Sequence, residues 1–233
     1  MDKYLKETKL LDYSDSSIQK QILEKGWYEL SDKEKIKQIY NFVRDDIKFG
    51  YNIADNIPSS MILKDGYGQC NTKGILFMSL LRAVSIPCRF HGFTVNKELQ
   101  KGVLNGIWYI LAPNEIIHSW VEVFYKNQWY NLEGFILDLD YLSSVQKDNN
   151  CDGSFCGYAI ATDNLSDPKV RWNENNTYIQ KEGINRDLGI YDDPDLFFSE
   201  YGQKLNCLKN FLFRNIVRHI MNKNVELIRE KNQ

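Results

Sequence analysis

Gly66-Tyr67-Gly68-Gln69-Cys70-Asn71-Thr72-Lys73-Gly74-Ile75-Leu76-Phe77-Met78-Ser79-Leu80-Leu81-Arg82-Ala83-Val84 is the stretch on which the reading of this chain turns. From Ile75 onward its apolar residues fall nearly all round a helical wheel, and a helix of that kind is buried on most sides. Pro87 marks its end. Gly66 and Gly68 allow a sharp turn just before the helix and leave room for another molecule to approach. Cys70 therefore stands in the first turn of a buried helix.

Working outward, residues 88–95 read as a strand, and a loop region with Gly102, Gly106 and Pro113 leads to a second strand over 116–125. Lys126-Asn127 supplies a turn, and 129–133 returns as the partner strand. On the other side, Ser31-Asp32-Lys33-Glu34 has the form of a capping box. Ile36, Ile39, Tyr40, Val43 and Ile47 follow at helical spacing, which predicts an amphipathic helix over 31–47. Residues 49–68 hold Pro58, Ser59, Ser60, Gly66 and Gly68 and read as loop and turn. Residues 146–195 are rich in Asn, Asp, Gly and Tyr and read as irregular structure wrapped on the domain. Leu208, Leu212, Ile216, Ile220 and Leu227 predict one or two closing helices over 196–230. The expectation is a single α+β domain over 1–233. It comprises an N-terminal extension (1–30), a core (31–140) and an irregular segment with C-terminal helices packed on that core (141–233).

The 233 residues are 43% hydrophobic and carry a formal net charge of −2. A chain of this size can bury a real core, and its charge gives no reason to expect nucleic acid or an anionic membrane as partner. No run of about 18 apolar residues is present to span a bilayer. No secretory signal is read at the start, so a cytoplasmic location is expected. Five cysteines and three widely separated histidines include no CxxC pair and no zinc-ligand spacing. Neither a metal nor a cofactor is expected.

Three features converge on thiol chemistry. A helix N-terminus carries about half a positive charge and free N–H groups, which favour thiolate over thiol and can hold an oxyanion. In the predicted hairpin, His118 and Glu133 point to the same side. A two-residue loop pairs Tyr125 with Gln128 and sets His118 diagonal to Glu133, whereas a four-residue loop sets them directly opposite. A carboxylate beside a histidine fixes its tautomer and supports its charge, as a thiolate–imidazolium pair requires.

The order cysteine, histidine, acid is that of papain-like proteins. Residues 36–138 resemble the core of the transglutaminase-like superfamily, as a bacterial-type single-domain member. The matching stretches are Ile39-Tyr40-Asn41-Phe42-Val43-Arg44-Asp45-Asp46-Ile47, Gly68-Gln69-Cys70, Leu81-Arg82-Ala83-Val84-Ser85-Ile86-Pro87-Cys88-Arg89 and His118-Ser119-Trp120-Val121-Glu122-Val123. The resemblance implies a nucleophile helix packed on an antiparallel sheet, with Cys70 as nucleophile and His118 as base. At the third position the family usually has Asp after a tryptophan-led strand. Here Trp129-Tyr130-Asn131-Leu132 leads to Glu133, with Asp138 as the fallback. The glutamine that papain-like proteins place six residues before the nucleophile is replaced by Lys64, which leaves Gln69 and Tyr67 as candidate substrate-binding groups. Trp120 shares the His118 face and is a candidate cleft wall.

The resemblance implies a thiol enzyme that forms a thioester acyl-enzyme from a peptide, protein or small amide substrate. Its relatives include crosslinking transglutaminases, proteases and amidases that remove glycans from protein asparagine. Hydrolysis is favoured over acyl transfer, because no second-substrate module or calcium-ligand run is evident. The competing classes are a non-catalytic binding module that retains the fold, and arylamine acetyl transfer from coenzyme A. Of the remaining candidates, Cys88 reads as structural, and Cys151 and Cys156 as polar-segment thiols with at most a redox or disulfide role. His91 reads as a core or surface group and a base only if His118 fails. His219 lies on a basic helix face, and Trp108, Trp129 and Trp172 read as packing residues.

Overall fold

The computed structural model describes residues 1–149, 152–202 and 207–231. Helix α1 (Ser16–Lys25) is capped by Asp15 and closes on Gly26 in the left-handed region. Helix α2 (Asp32–Asn41) starts at Ser31, whose hydroxyl accepts from the Glu34 N–H. The predicted helix over 31–47 stays α-helical only to Asn41, then widens into a π turn over Phe42–Asp46. Within that turn buried Arg44 donates to the Val170 carbonyl at 3.0 Å and pairs with Asp45.

Strand β1 (Lys48–Phe49) runs parallel to β2 (Tyr67–Gly68), and helix α3 (Ser59–Asp65) lies between them in sequence. Residues 49–68 were expected to be loop and turn. The helix forms because Asp12, far away in sequence, accepts from the Ser60 N–H and from the Ser59 and Ser60 hydroxyls. No local pattern could announce a cap supplied from a distance.

Helix α4 (Cys70–Ala83) is buried along its length, with Ile75, Leu76, Phe77, Met78, Leu80 and Leu81 all inaccessible. Lys73 is buried with them and donates to the carbonyls of Arg44 (3.1 Å) and Ile136 (2.8 Å). Burial pulls its amine down to about 7, against the opposing pull of Asp138. The chain continues through β3 (Cys88–Asn96), α5 (Gly106–Leu111), β4 (Glu115–Tyr125) and β5 (Gln128–Leu132). It then runs through α6 (Leu139–Asn149), β6 (Phe155–Gly157), β7 (Ile160–Thr162), β8 (Ile184–Tyr191), α7 (Pro194–Glu200) and α8 (Cys207–Leu212). A π turn over Phe213–Val217 and helix α9 (Arg218–Glu230) close it.

The main sheet is antiparallel in the order β5-β4-β3-β8, so the fold is α+β with α4 laid against β4. Gly74 permits the close approach: a Cβ there would already be in van der Waals contact with Val121 and Ser119. Residues 146–195 are less irregular than their composition suggested, since β8 extends the sheet at its edge. This edge strand is only partly covered, by α7 and the sheet's neighbours, so its residues are exposed or half-buried and show no alternation to read. One hydrophobic cluster runs from Leu10 to Ile228 and includes residues from both ends of the chain.

Asp138, the fallback acid, has a different task. Its carboxylate accepts from Arg229 at 3.1 and 2.9 Å, from the Phe49 N–H at 2.8 Å, and from the Tyr141 N–H at the start of α6. Burial opposes the carboxylate charge, but Arg229 outweighs it and holds the group below its usual range. Removing one member of a buried pair leaves an uncompensated charge, at a cost of about 3–5 kcal/mol. Arg229→Met is therefore expected to lower the melting temperature by roughly 10 °C, as followed by circular dichroism. A change of only a degree or two would mean that the pair does not tie α9 to the core.

Candidate active site

The start of α4 is shaped by the two glycines before it. Gly66 has φ +71°, in the left-handed region, and a Cβ on Gly68 would sit 2.7 Å from Thr72 Oγ1. Gln69 is the N-cap and forms a capping box with Thr72: the Gln69 N–H donates to Thr72 Oγ1, and the Gln69 side chain accepts from the Thr72 N–H. Its Nε2 donates to Asp55 at 2.6 Å. Gln69 thus lines the cleft, but its side chain is engaged in holding the helix start. The N–H groups of Cys70 and Asn71 belong to the first helical turn, where no intrahelical partner exists.

The hairpin adopts the two-residue loop, with Tyr125 opposite Gln128 and Val121 opposite Leu132. Lys126 and Asn127 have φ values of 49° and 61°, as the tight turn requires. His118 and Glu133 are therefore diagonal neighbours, and both are fully buried. His118 Nε2 lies 2.7 Å from Glu133 Oε1. The other carboxylate oxygen, Oε2, accepts from the backbone N–H groups of Ile179 (2.8 Å) and Gln180 (2.9 Å). Thr177 fixes the same residue through its carbonyl, which accepts the Glu133 N–H at 3.0 Å. Apart from His118, the hydrogen bonds to this carboxylate come from a segment whose composition had suggested only irregular wrapping.

With Nε2 committed to Glu133, Nδ1 is buried without a full hydrogen bond among the described residues. The Cys70 thiol, half-buried at the start of α4, also acts on this ring. Such contacts are often long before substrate arrives. Burial disfavours the imidazolium, but Cys70 and Glu133 outweigh it and raise His118 from 6.5 to about 10. The imidazole is thus biased towards its charged form.

Asn71 registers the helix against the strand. Its Nδ2 donates to the Ile117 carbonyl (3.2 Å) and its Oδ1 accepts from Ser119 Oγ (2.8 Å), on either side of His118. Sequence reading missed this residue, although its place next to Cys70 was a usable signal. Loss of this clamp misplaces the thiol relative to the imidazole, and a misplacement of about 1 Å can cost about 10² in rate. Asn71→Ala is expected to slow acylation of Cys70 by roughly 10- to 100-fold and to lower the melting temperature by several degrees, because buried Ser119 Oγ loses its acceptor. Acylation by an activated ester checks this; an unaltered rate would show that the clamp does not set the geometry.

Other candidates lie apart from this cluster. Trp120 is buried behind it, against Phe93 (4.0 Å between ring centroids) and Tyr178 (5.6 Å), and does not line the cleft. Tyr67 also does not line the cleft; its hydroxyl accepts from Arg218. His91 sits between Glu122 (2.7 Å) and Asp187 (2.9 Å) and bonds to neither Cys70 nor Glu133. Cys88 is buried and Cys156 is exposed, while Cys151 lies outside the described residues. Among the described residues, no group of three or more His, Cys, Asp or Glu side chains is placed to hold a metal ion. No described helix is long and apolar enough to cross a membrane.

Residues 20–134 match the profile of the transglutaminase-like superfamily, and this segment of the chain is similar to that superfamily. A curated relative is the uncharacterized protein YebA of Bacillus subtilis, 35% identical over 118 residues. That alignment takes in 48% of this chain but only 16% of YebA, so the chain spans a small part of the relative's length. Two solved structures are similar at 16% identity. One is a candidate cysteine protease from Cytophaga hutchinsonii, covering 58% of this chain and 42% of that one with a TM-score of 0.42. The other is red sea bream transglutaminase, covering 57% and 26% with a TM-score of 0.32.

Proposed function

We propose that the protein is a thiol enzyme acting on an amide or related acyl bond. The observation that carries this reading is the buried His118–Glu133 pair, whose imidazole also interacts with Cys70 at the start of α4. The Cys70 sulfur attacks the carbonyl carbon, and the oxyanion is received by N–H groups of the first turn of α4. His118 gives its proton to the leaving amine, leaving a thioester on Cys70. Neutral His118 then takes a proton from water, whose oxygen attacks the thioester and restores the thiolate and the imidazolium. Hydrolysis is the favoured outcome. An amine in place of water would make the protein an acyltransferase by the same steps.

The proton on His118 sets the alkaline side of the activity profile. Turnover is expected to fall as pH rises through about 10, where the imidazolium is lost. Glu133→Gln removes a charge that raises this group, so the fall should move to lower pH. Because the folded value lies above 6.5, the stability from this cluster is complete below about 6.5 and lost as pH rises through about 10. A pH–rate profile of both proteins tests the assignment; an alkaline limb unmoved by the substitution would detach Glu133 from His118. Product analysis with and without an added amine then separates hydrolysis from acyl transfer.

A further inference from the structure

The cleft that opens on Cys70 and His118 has a volume of about 730 Å³, within the range of a site for a drug-sized molecule. Its walls are dominated by apolar side chains, among them Leu104, Trp108, Ile117, Leu212, Phe213 and Met221. One wall is α5 and the other is α8 with the π turn that follows it. The same elements leave large apolar groups in solvent: Ile107 and Ile110 on α5 are 64% and 73% exposed, and Leu208 and Phe211 on α8 are 67% and 61% exposed.

The polar groups nearest the thiol point the same way. An extended peptide in the cleft would bring its own N–H and C=O groups, each of which needs a partner once it leaves water. Gln69 is occupied by Asp55 and Thr72, Asn71 by Ile117 and Ser119, and Gln180 donates to the Ala159 carbonyl at 2.6 Å. Burial also pushes the Asp55 carboxyl up, towards its neutral form, against the pull of Gln69 and Asn71. The side chains of Gln69, Asn71 and Gln180 are therefore already engaged, and most of the remaining lining is hydrocarbon, with Asp55, Asn56, Gln100, Lys209, Asn210 and Arg214 as its polar members.

We infer that the cleft takes an acyl chain: the substrate delivers an extended apolar acyl group, with its carbonyl at Cys70 and its chain between α5 and the α8 segment. This inference rests on the thiol reading of the site and specifies its substrate class. Whether the chain comes from a lipid ester or from an acylated amine, the recognised chemistry is the same. An apolar peptide is the competing occupant.

The test uses the full chain and p-nitrophenyl acetate, butyrate, octanoate and dodecanoate, alongside the p-nitrophenyl ester of N-acetyl-phenylalanyl-glycine. Each transfers its acyl group to the Cys70 sulfur and releases p-nitrophenolate. Rates are normalised to the reaction of the same ester with glutathione. Each buried methylene is worth up to about a fourfold gain, so octanoate should exceed acetate by at least about 30-fold in kcat/KM and should exceed the peptide ester. Leu212→Gln and Trp108→Gln should each cut the octanoate-to-acetate ratio by about tenfold. A flat series, or a peptide ester that outruns octanoate, overturns the acyl-chain inference while leaving the thiol chemistry in place. Should no ester acylate Cys70, the thiol reading fails, and calorimetric titration of Cys70→Ala with dodecanoate still decides the cleft. Binding weakened by Leu212→Gln supports an acyl-chain site, and no binding overturns it.

Discussion

Replacing His118 with alanine is expected to slow acylation of Cys70 by an activated ester by about 10²–10⁴-fold at neutral pH, the usual worth of a positioned acid–base group. The reason lies in the partners of the ring. Nε2 is anchored 2.7 Å from Glu133, and Cys70 and Glu133 both favour the charge on the ring. Alanine removes both the proton that goes to the leaving group and the cation beside the sulfur. His91 supplies the control, because its two nitrogens are committed to Glu122 and Asp187. His91→Ala should leave acylation nearly unchanged, and a larger loss there than in His118→Ala would identify the wrong base.

Glu133→Gln is expected to cost about 10³ in turnover, for a reason that the hydrogen bonds of the carboxylate make specific. Oε2 accepts two backbone N–H groups, from Ile179 and Gln180. In a glutamine, only the carbonyl oxygen can accept those bonds, which turns the NH₂ group towards His118 Nε2. That nitrogen must then accept, so the single remaining ring proton is forced onto Nδ1 and the imidazole can neither carry its charge nor take a proton from the thiol. In a serine triad the equivalent wrong tautomer costs about 10⁴. A thiol is more acidic than a hydroxyl and depends less on its base, which places the loss somewhat lower. Single-turnover acylation of the parent and the variant, after a check that both melt alike, measures it. A loss of less than about tenfold would mean that Glu133 orients His118 without governing its proton.

The parts of this site that sequence revealed are those with a local cause. The apolar wheel after Cys70, the glycines before it and the alternation of the hairpin placed the thiol on a buried helix and set His118 and Glu133 on one face. The hairpin left its register open, and the positive φ values of Lys126 and Asn127 select the two-residue loop. What could not be read depends on distant partners. Asp12 caps α3 from 48 residues away, Arg229 claims Asp138 from 91, and Ile179 and Gln180 hold Glu133 through backbone groups that every sequence possesses. The edge strand β8 carries no hydrophobic alternation because its faces are only partly covered. Gln69 and Trp120, taken from sequence as candidates for substrate contact, are used by the structure to cap α4 and to fill the aromatic layer behind His118.

Competitive alkylation asks most directly whether Cys70 is the activated thiol. The protein is treated with limiting iodoacetamide at about pH 6, where an ordinary thiol reacts slowly, and the modified cysteines are mapped by mass spectrometry. Accessibility alone would favour the exposed Cys156 and Cys207 over half-buried Cys70. Burial pushes the Cys88 thiol up, and partial desolvation with Glu98 nearby does the same to Cys156. If His118 activates the sulfur, Cys70 is labelled first despite its lower exposure, and His118→Ala abolishes that preference. Labelling that follows exposure, with Cys156 and Cys207 ahead of Cys70 in the parent protein, would contradict a thiol site at the head of α4.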